Sequence, residues 1–226
     1  MLAQVVLFDG FDPLDALGPY EVLFAGGLFT DGDLTVEVVT AEGPRDVPSG
    51  TPPLTVRAYG RLSPERADLI VVPGAAGRID APDDSDLARR VDSIARHVER
   101  ALGTELPGLL KEAVERPDTT VATVCAGSLM LAATGLIKGR HATTHHTWNR
   151  DDLKLLEAEG VRAVDARVVD DGDLVTASGL VSGIDLGIHL LERSYGPRVA
   201  RAAEKLLGHE RQGLVWRAEG RVPSTI

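Results

Sequence analysis

The chain contains one cysteine, Cys125, and its setting is the first feature of the sequence that could do chemistry. A β-branched run, Thr119 to Val124 (TTVATV), stops at Cys-Ala-Gly and gives way to small helix-forming residues. That layout matches a nucleophile elbow, in which a tight turn lifts one side chain above a sheet and glycine permits close strand–helix approach. A helix N-terminus beside the sulfur favours the thiolate and offers free amide N–H groups to an oxyanion. A free cysteine is also an ordinary small core residue, so local sequence leaves both readings open. The histidines of HATTHH (His141, His145 and His146) form the other conspicuous group. On an extended strand neighbouring side chains point to opposite faces, and no carboxylate stands among these three. No metal site is expected there, and no other cofactor.

The elements that must position Cys125 read as alternating strands and helices. Mainly apolar runs at Ala3–Phe8 and Asp68–Val72, with Thr119–Val124, suit strands buried on both faces. Further strands are expected at Leu34–Thr40 and Leu54–Ala58. Helices are expected at Ala16–Ala25, within Leu87–Glu115 with a break near Gly103, at Ser128–Thr134 capped by Gly135, and at Arg150–Glu159. Val161–Val169 and Leu174–Ala177 flank Asp170-Asp171-Gly172-Asp173, a hairpin signal. Helices at Gly183–Arg193 and Pro197–Leu207 complete the pattern. Such alternation implies a parallel sheet with right-handed crossovers between two helical layers. Ligands bind beyond the carboxyl ends of strands in such sheets. DGFDPLD, PGAAG and CAG fall at three of those ends and should converge.

Composition bounds the rest. Aromatics are only 4% of the 226 residues, so the core must be built from Val, Leu, Ile and Ala. No linker or repeat divides the chain, which reads as one domain over 1–226 with a polar tail at 209–226. A net charge of −10 argues against nucleic acid as a partner. A lone cysteine fits a reducing cytoplasm, the first residues lack a secretory n-region, and no run is long enough to span a membrane.

The segment VCAGSLMLAATGLIKGRHATTHHTW resembles the ThiJ/PfpI family of the class I glutamine-amidotransferase-like superfamily. It looks closest to isocyanide hydratases and to the amidase-like domains of AraC-type regulators. LDALGPYEVL, VVPGAAG and SGLVSGIDLGIHLLERSYGP fall in the family's order at similar spacing. The resemblance implies a flavodoxin-like three-layer sandwich and a homodimer. It implies Cys125 as nucleophile and Asp15, four residues before Pro19, as its acidic partner. Asp15 is equally suited to cap a helix starting at Ala16, and Asp12 and Glu21 are rival carboxylates. The resemblance also implies that N–H groups of Gly74 or Ala75 join that of Ala126 in an oxyanion hole. Ala75 stands in place of a usual second glycine. His145 matches the family's Thr-Thr-His histidine, and acts as a base, orients a partner, or packs.

Position 126 departs from the pattern. The peptidase-like members have histidine there and isocyanide hydratases threonine, whereas Cys-Ala-Gly is the pattern of the deglycase and redox-chaperone branch. The expected activity is therefore a cysteine-dependent hydratase or hydrolase of a small molecule, isocyanide to N-substituted formamide first, and not a protease. A glyoxalase or deglycase, and a redox-sensing or ligand-binding protein in which Cys125 is oxidised, are the alternatives.

Overall fold

The computed structural model describes residues 1–79, 91–146 and 151–217. Its order begins with β1 (Leu2–Val6), α1 (Pro13–Gly27) and β2 (Thr35–Thr40). A hairpin of β3 (Arg45–Pro48) and β4 (Thr55–Ala58) follows, then β5 (Gly60–Arg61) and β6 (Leu69–Val72). Next come α2 (Ile94–Leu102), α3 (Leu106–Glu115), β7 (Thr120–Val124) and α4 (Gly127–Ala133). The chain continues through β8 (His141–Ala142), α5 (Asp151–Ala158), β9 (Arg162–Ala163), β10 (Val168–Asp170) and β11 (Leu174–Ala177). It closes with α6 (Ser182–Tyr195), α7 (Pro197–Leu207) and β12 (Val215–Arg217).

The main sheet runs β12-β10-β11-β7-β6-β1-β2-β5, parallel throughout except where β10 meets β11. From β1 the chain crosses to β2 on one side, and from β6 to β7 in the opposite direction. Right-handed crossovers therefore place α1 on one face and α2 and α3 on the other. Helices α6 and α7 pack against α1. This is the expected flavodoxin-like three-layer sandwich. Strands β6 and β11 are wholly buried and β1 and β7 nearly so, as their continuous apolar runs require. Val, Leu, Ile and Ala dominate the core; Phe8 and Phe11 are its phenylalanines. None of the described helices is long and apolar enough to cross a membrane.

Several boundaries differ from expectation. Helix α1 starts at Pro13 rather than Ala16, because Asp12 is its N-cap and proline fits the first turn. Val161–Val169 is not one strand: its first part pairs with β8 in a separate two-stranded sheet and only Val168 onward joins β11. The tail contributes β12, which pairs in parallel with β10. The break near Gly103 is present between α2 and α3, whereas the expected start of that helical stretch at Leu87 lies outside the described residues. So do Arg150, which was expected to open α5, and residues 218–226 of the tail.

Candidate active site

The three expected loops do meet. Asp12 N–H donates to the Gly74 carbonyl at 2.9 Å, and Ala76 N–H donates to the Gly10 carbonyl at 3.1 Å, stitching the turn after β1 to the turn after β6. A Cβ added at Gly74 would lie 2.7 Å from the Ala126 nitrogen and 2.8 Å from Asp15 Oδ2. Glycine at 74 is thus what lets the turn after β6 touch both the cysteine turn and the carboxylate helix. Gly127 does the same for α4, since its Cβ would come within 2.4 Å of the Val72 carbonyl oxygen.

Cys125 occupies the left-handed region with φ +55°, one of two such non-glycine residues among those described. That conformation is uncommon for a residue with a Cβ and costs about 1–3 kcal/mol, so the surroundings must hold it. They do so from three directions. Cys125 N–H donates to the Ala177 carbonyl at 2.9 Å, and its own carbonyl accepts from the Thr144 hydroxyl at 2.9 Å and from Ser128 N–H at 3.4 Å. The elbow expected from TTVATV-CAG is present, and Thr144 links it to the segment ATTHH.

Asp15 lies on α1 with no solvent exposure. Its Oδ2 accepts from Gly74 N–H at 3.0 Å. Its Oδ1 has no hydrogen-bond partner of ordinary geometry among the described residues. The alternative reading of Asp15 as helix cap is overturned, because Asp12 Oδ1 takes the cap bonds from Leu14 N–H (2.9 Å) and Asp15 N–H (3.3 Å). Glu21 is exposed and stands apart from this chemistry.

Burial holds the Asp15 carboxyl well above the usual carboxylate range; the Asp12 charge adds to this, while Gly74 N–H and the Cys125 thiol oppose it. Burial likewise pushes the Cys125 thiol well up, and the nearby charge of Asp15 adds to it. The Ala126 N–H acts in the other direction. The expected lowering by a helix N-terminus is therefore outweighed in the resting site. Desolvation favours the neutral form of both groups, and α4 is only seven residues long.

The oxyanion donors are also narrowed. Gly74 N–H is committed to Asp15, so it is not the free donor allowed for above. Ala75 N–H makes no hydrogen bond among the described residues, and Ala75 lies outside the positive-φ region, so the missing glycine costs no strain. The site is enclosed: Ala75, Cys125 and Ala126 are all buried.

The histidines part company. His141 Nδ1 lies 3.0 Å from Asp171 Oδ1, His145 Nδ1 3.9 Å from Asp152 Oδ2, and His146 Nε2 3.0 Å from Asp165 Oδ1. The expectation that no carboxylate accompanies them fails, since the fold supplies three from beyond the segment: Asp152, Asp165 and Asp171. They serve three separate pairs, and no group of three or more metal-ligating side chains occurs among the described residues. Thr144, rather than His145, is the residue of this segment seen to hold the cysteine turn. Asp12 and Thr144 act only through contacts the fold creates; Asp12-Pro13 was the one local signal of the former, a cap followed by an N1 proline.

A flavodoxin-like sandwich with a strained cysteine turn facing a buried acid at the carboxyl ends of its strands defines a class of cysteine-elbow proteins. Residues 97–193 match the sequence pattern of the DJ-1/PfpI family. The isonitrile hydratase of Pseudomonas putida is 30% identical over 209 residues, covering 88% of this chain and 74% of that enzyme. A deglycase of Thermococcus kodakarensis is 28% identical over 180 residues, covering 78% of this chain and 89% of its own. The crystal structure of Drosophila melanogaster DJ-1beta superposes with a TM-score of 0.72 at 20% identity, over 93% of this chain and 98% of that one. The chain belongs to the DJ-1/PfpI family.

Proposed function

We propose that the protein is a cysteine-dependent hydratase of small electrophiles, with isocyanides (isonitriles) as substrates, Cys125 as nucleophile and Asp15 as general acid. The observation that carries this reading is the burial together of the Cys125 thiol and the Asp15 carboxyl, whose Oδ1 has no hydrogen-bond partner of ordinary geometry among the described residues. The likeness to an isonitrile hydratase supports the substrate class.

In this reading Cys125 sulfur bonds the terminal carbon of R–N≡C. Asp15 delivers its proton to that carbon and takes up the thiol proton, leaving the thioimidate R–N=CH–S–Cys. Water then adds across the C=N bond, its oxygen to carbon and its protons to nitrogen and, by way of Asp15, to the departing sulfur. Collapse breaks the C–S bond and releases R–NH–CHO with the thiol restored. The Ala75 and Ala126 N–H groups bind the oxygen as it gains charge. Gly74 holds Asp15 in place, and His145 serves as an outer residue oriented on Asp152.

The test is formamide formation from an aromatic isocyanide, followed by absorbance. Cys125→Ser and Asp15→Asn are each expected to lower kcat by on the order of 100-fold or more. Absence of turnover across several isocyanides, or Cys125→Ser matching the wild type, rejects the reading. A second reading, deglycase chemistry on reactive carbonyls, is favoured by Ala126 after the cysteine and by the deglycase relative. It requires methylglyoxal consumption that disappears in Cys125→Ser. For assembly we propose a homodimer; the exposed Leu14, Phe24 and Leu28 along α1 offer it an apolar surface, and sedimentation velocity reads its mass.

A further inference from the structure

Two of the bonds that keep Cys125 at φ +55° lead back to one strand. The Ala177 carbonyl that takes its N–H lies on β11, and the Thr144 hydroxyl donates to its carbonyl from a segment pinned to that strand. The pin is Thr143 N–H, which donates to Thr176 Oγ1 at 2.8 Å; all three threonines are wholly buried. His146 secures the other end of the segment. Its Nδ1 lies 2.8 Å from the Thr144 carbonyl oxygen, and its Nε2 lies 3.0 Å from Asp165 Oδ1, on the stretch between β9 and β10. A carbonyl and a carboxylate only accept, so the ring serves both with an N–H on each nitrogen. A bare Nδ1 at this distance would set lone pair against lone pair.

We infer that His146 is a positioning residue of the cysteine turn: anchored on Asp165, its Nδ1–H fixes the Thr144 carbonyl and so aims the Thr144 hydroxyl at the Cys125 carbonyl. The inference rests on Cys125 being the reactive group, but not on which substrate it attacks. Thr144 works from both ends, its hydroxyl donating to the elbow while its carbonyl accepts from the ring. The Thr143 hydroxyl does not duplicate the ring's bond, since at 3.5 Å from that carbonyl it is too far for a strong one. A left-handed conformation at a residue with a Cβ persists only where several contacts over-determine it. Loosening Thr144 therefore releases one of those contacts on Cys125 itself. The His146 side chain is 10% exposed, so water has little room to replace the ring.

Because Cys125 is the sole cysteine, isotopic labelling of cysteine at its carbonyl carbon gives one NMR signal, whose shift reports the hydrogen bonds that carbonyl accepts. Thr144→Val marks where the signal falls without the hydroxyl bond. In His146→Ala the signal should move towards that position. In His146→Asn, whose side-chain amide donates from the place of Nδ1, it should stay with the wild type. Turnover should follow: kcat falls roughly threefold to tenfold in His146→Ala with KM within about twofold, and recovers in His146→Asn. A histidine that only stabilised the fold would lower the melting temperature without moving the signal. An unmoved signal in folded His146→Ala, or one displaced equally by alanine and asparagine, overturns the inference. Should His146→Ala not fold, His146→Phe keeps a ring without an N–H and carries the same test. The NMR readout needs no turnover, so failure of the hydratase reading would leave it standing, and an unmoved signal would leave the hydratase reading intact.

Discussion

At the scale of single residues, the site depends on how closely three turns approach one another, and adjacent positions of PGAAG test this in opposite ways. Gly74→Ala would press a methyl group against the Ala126 nitrogen and Asp15 Oδ2, at 2.7 and 2.8 Å. The backbone side of that contact cannot swing away, so a loss of about 1–3 kcal/mol is expected, as for other overpacked sites. Activity should fall with it, because the same methyl displaces the carboxyl. Ala75→Gly puts a glycine where the backbone has no need of its freedom, and should lose no more than about 1 kcal/mol through chain entropy. Urea denaturation of both variants decides the matter; equal losses would mean that the close approach at Gly74 is not what the site requires. Thr144→Val removes the hydroxyl that holds the Cys125 carbonyl and should cost about 1 kcal/mol, while lowering kcat more than it raises KM. An unchanged kcat would show that the elbow holds its φ without this bond.

At the scale of elements, the buried strands were legible because sequence and environment agree. Apart from Gln4 and the leading Asp68, TTVATV, DLIVV and AQVVLF are β-branched or apolar, and their strands lie in the middle of the sheet. Their carboxyl ends could therefore be located, and with them Cys125, Gly74 and Asp15. The short pieces were not legible. Strands β8 and β9 have two residues each and exist through pairing with one another, and β12 forms because an edge at β10 is open to it. What places β12 is a tertiary clamp with no local signature. Asp185, nearly buried in α6, takes Arg167 Nε at 2.6 Å, His209 Nε2 at 2.9 Å and Gln212 N–H at 3.1 Å. The clamp thus ties α6 to the residue just before β10 and to the segment leading into β12. Asp185→Asn leaves Arg167 without its counter-charge and should destabilise the fold by about 1–3 kcal/mol, less than a fully buried pair because Arg167 is a quarter exposed. Limited proteolysis should then cut between residues 208 and 217 earlier than in the wild type. A digestion pattern identical to the wild type's would mean that β12 is held by its sheet pairing alone.

At the scale of the whole molecule, the buried acid couples the site to folding. Composition and motif order were enough to read an α/β sandwich and the turns that meet at its strand ends. They could not show which of two neighbouring aspartates is wholly buried, since that depends on packing and on the Gly74 N–H brought in from the turn after β6. Asp15 holds its proton more tightly in the folded chain than in the unfolded one, where an aspartate titrates near about 3.9. Between that value and its raised folded value, the native state binds more protons than the unfolded state does. Stability must therefore fall as pH rises through this window. Asp15→Asn abolishes the titration while keeping an oxygen for Gly74 N–H, so the variant should gain on the wild type as pH increases. The melting temperature of Asp15→Asn minus that of the wild type is expected to grow from about pH 4 to about pH 8, below the range in which the thiol itself contributes. A difference that stays constant or shrinks over that span would mean that Asp15 is ionised in the native protein. Its place as the proton donor to Cys125 chemistry would then pass to another group.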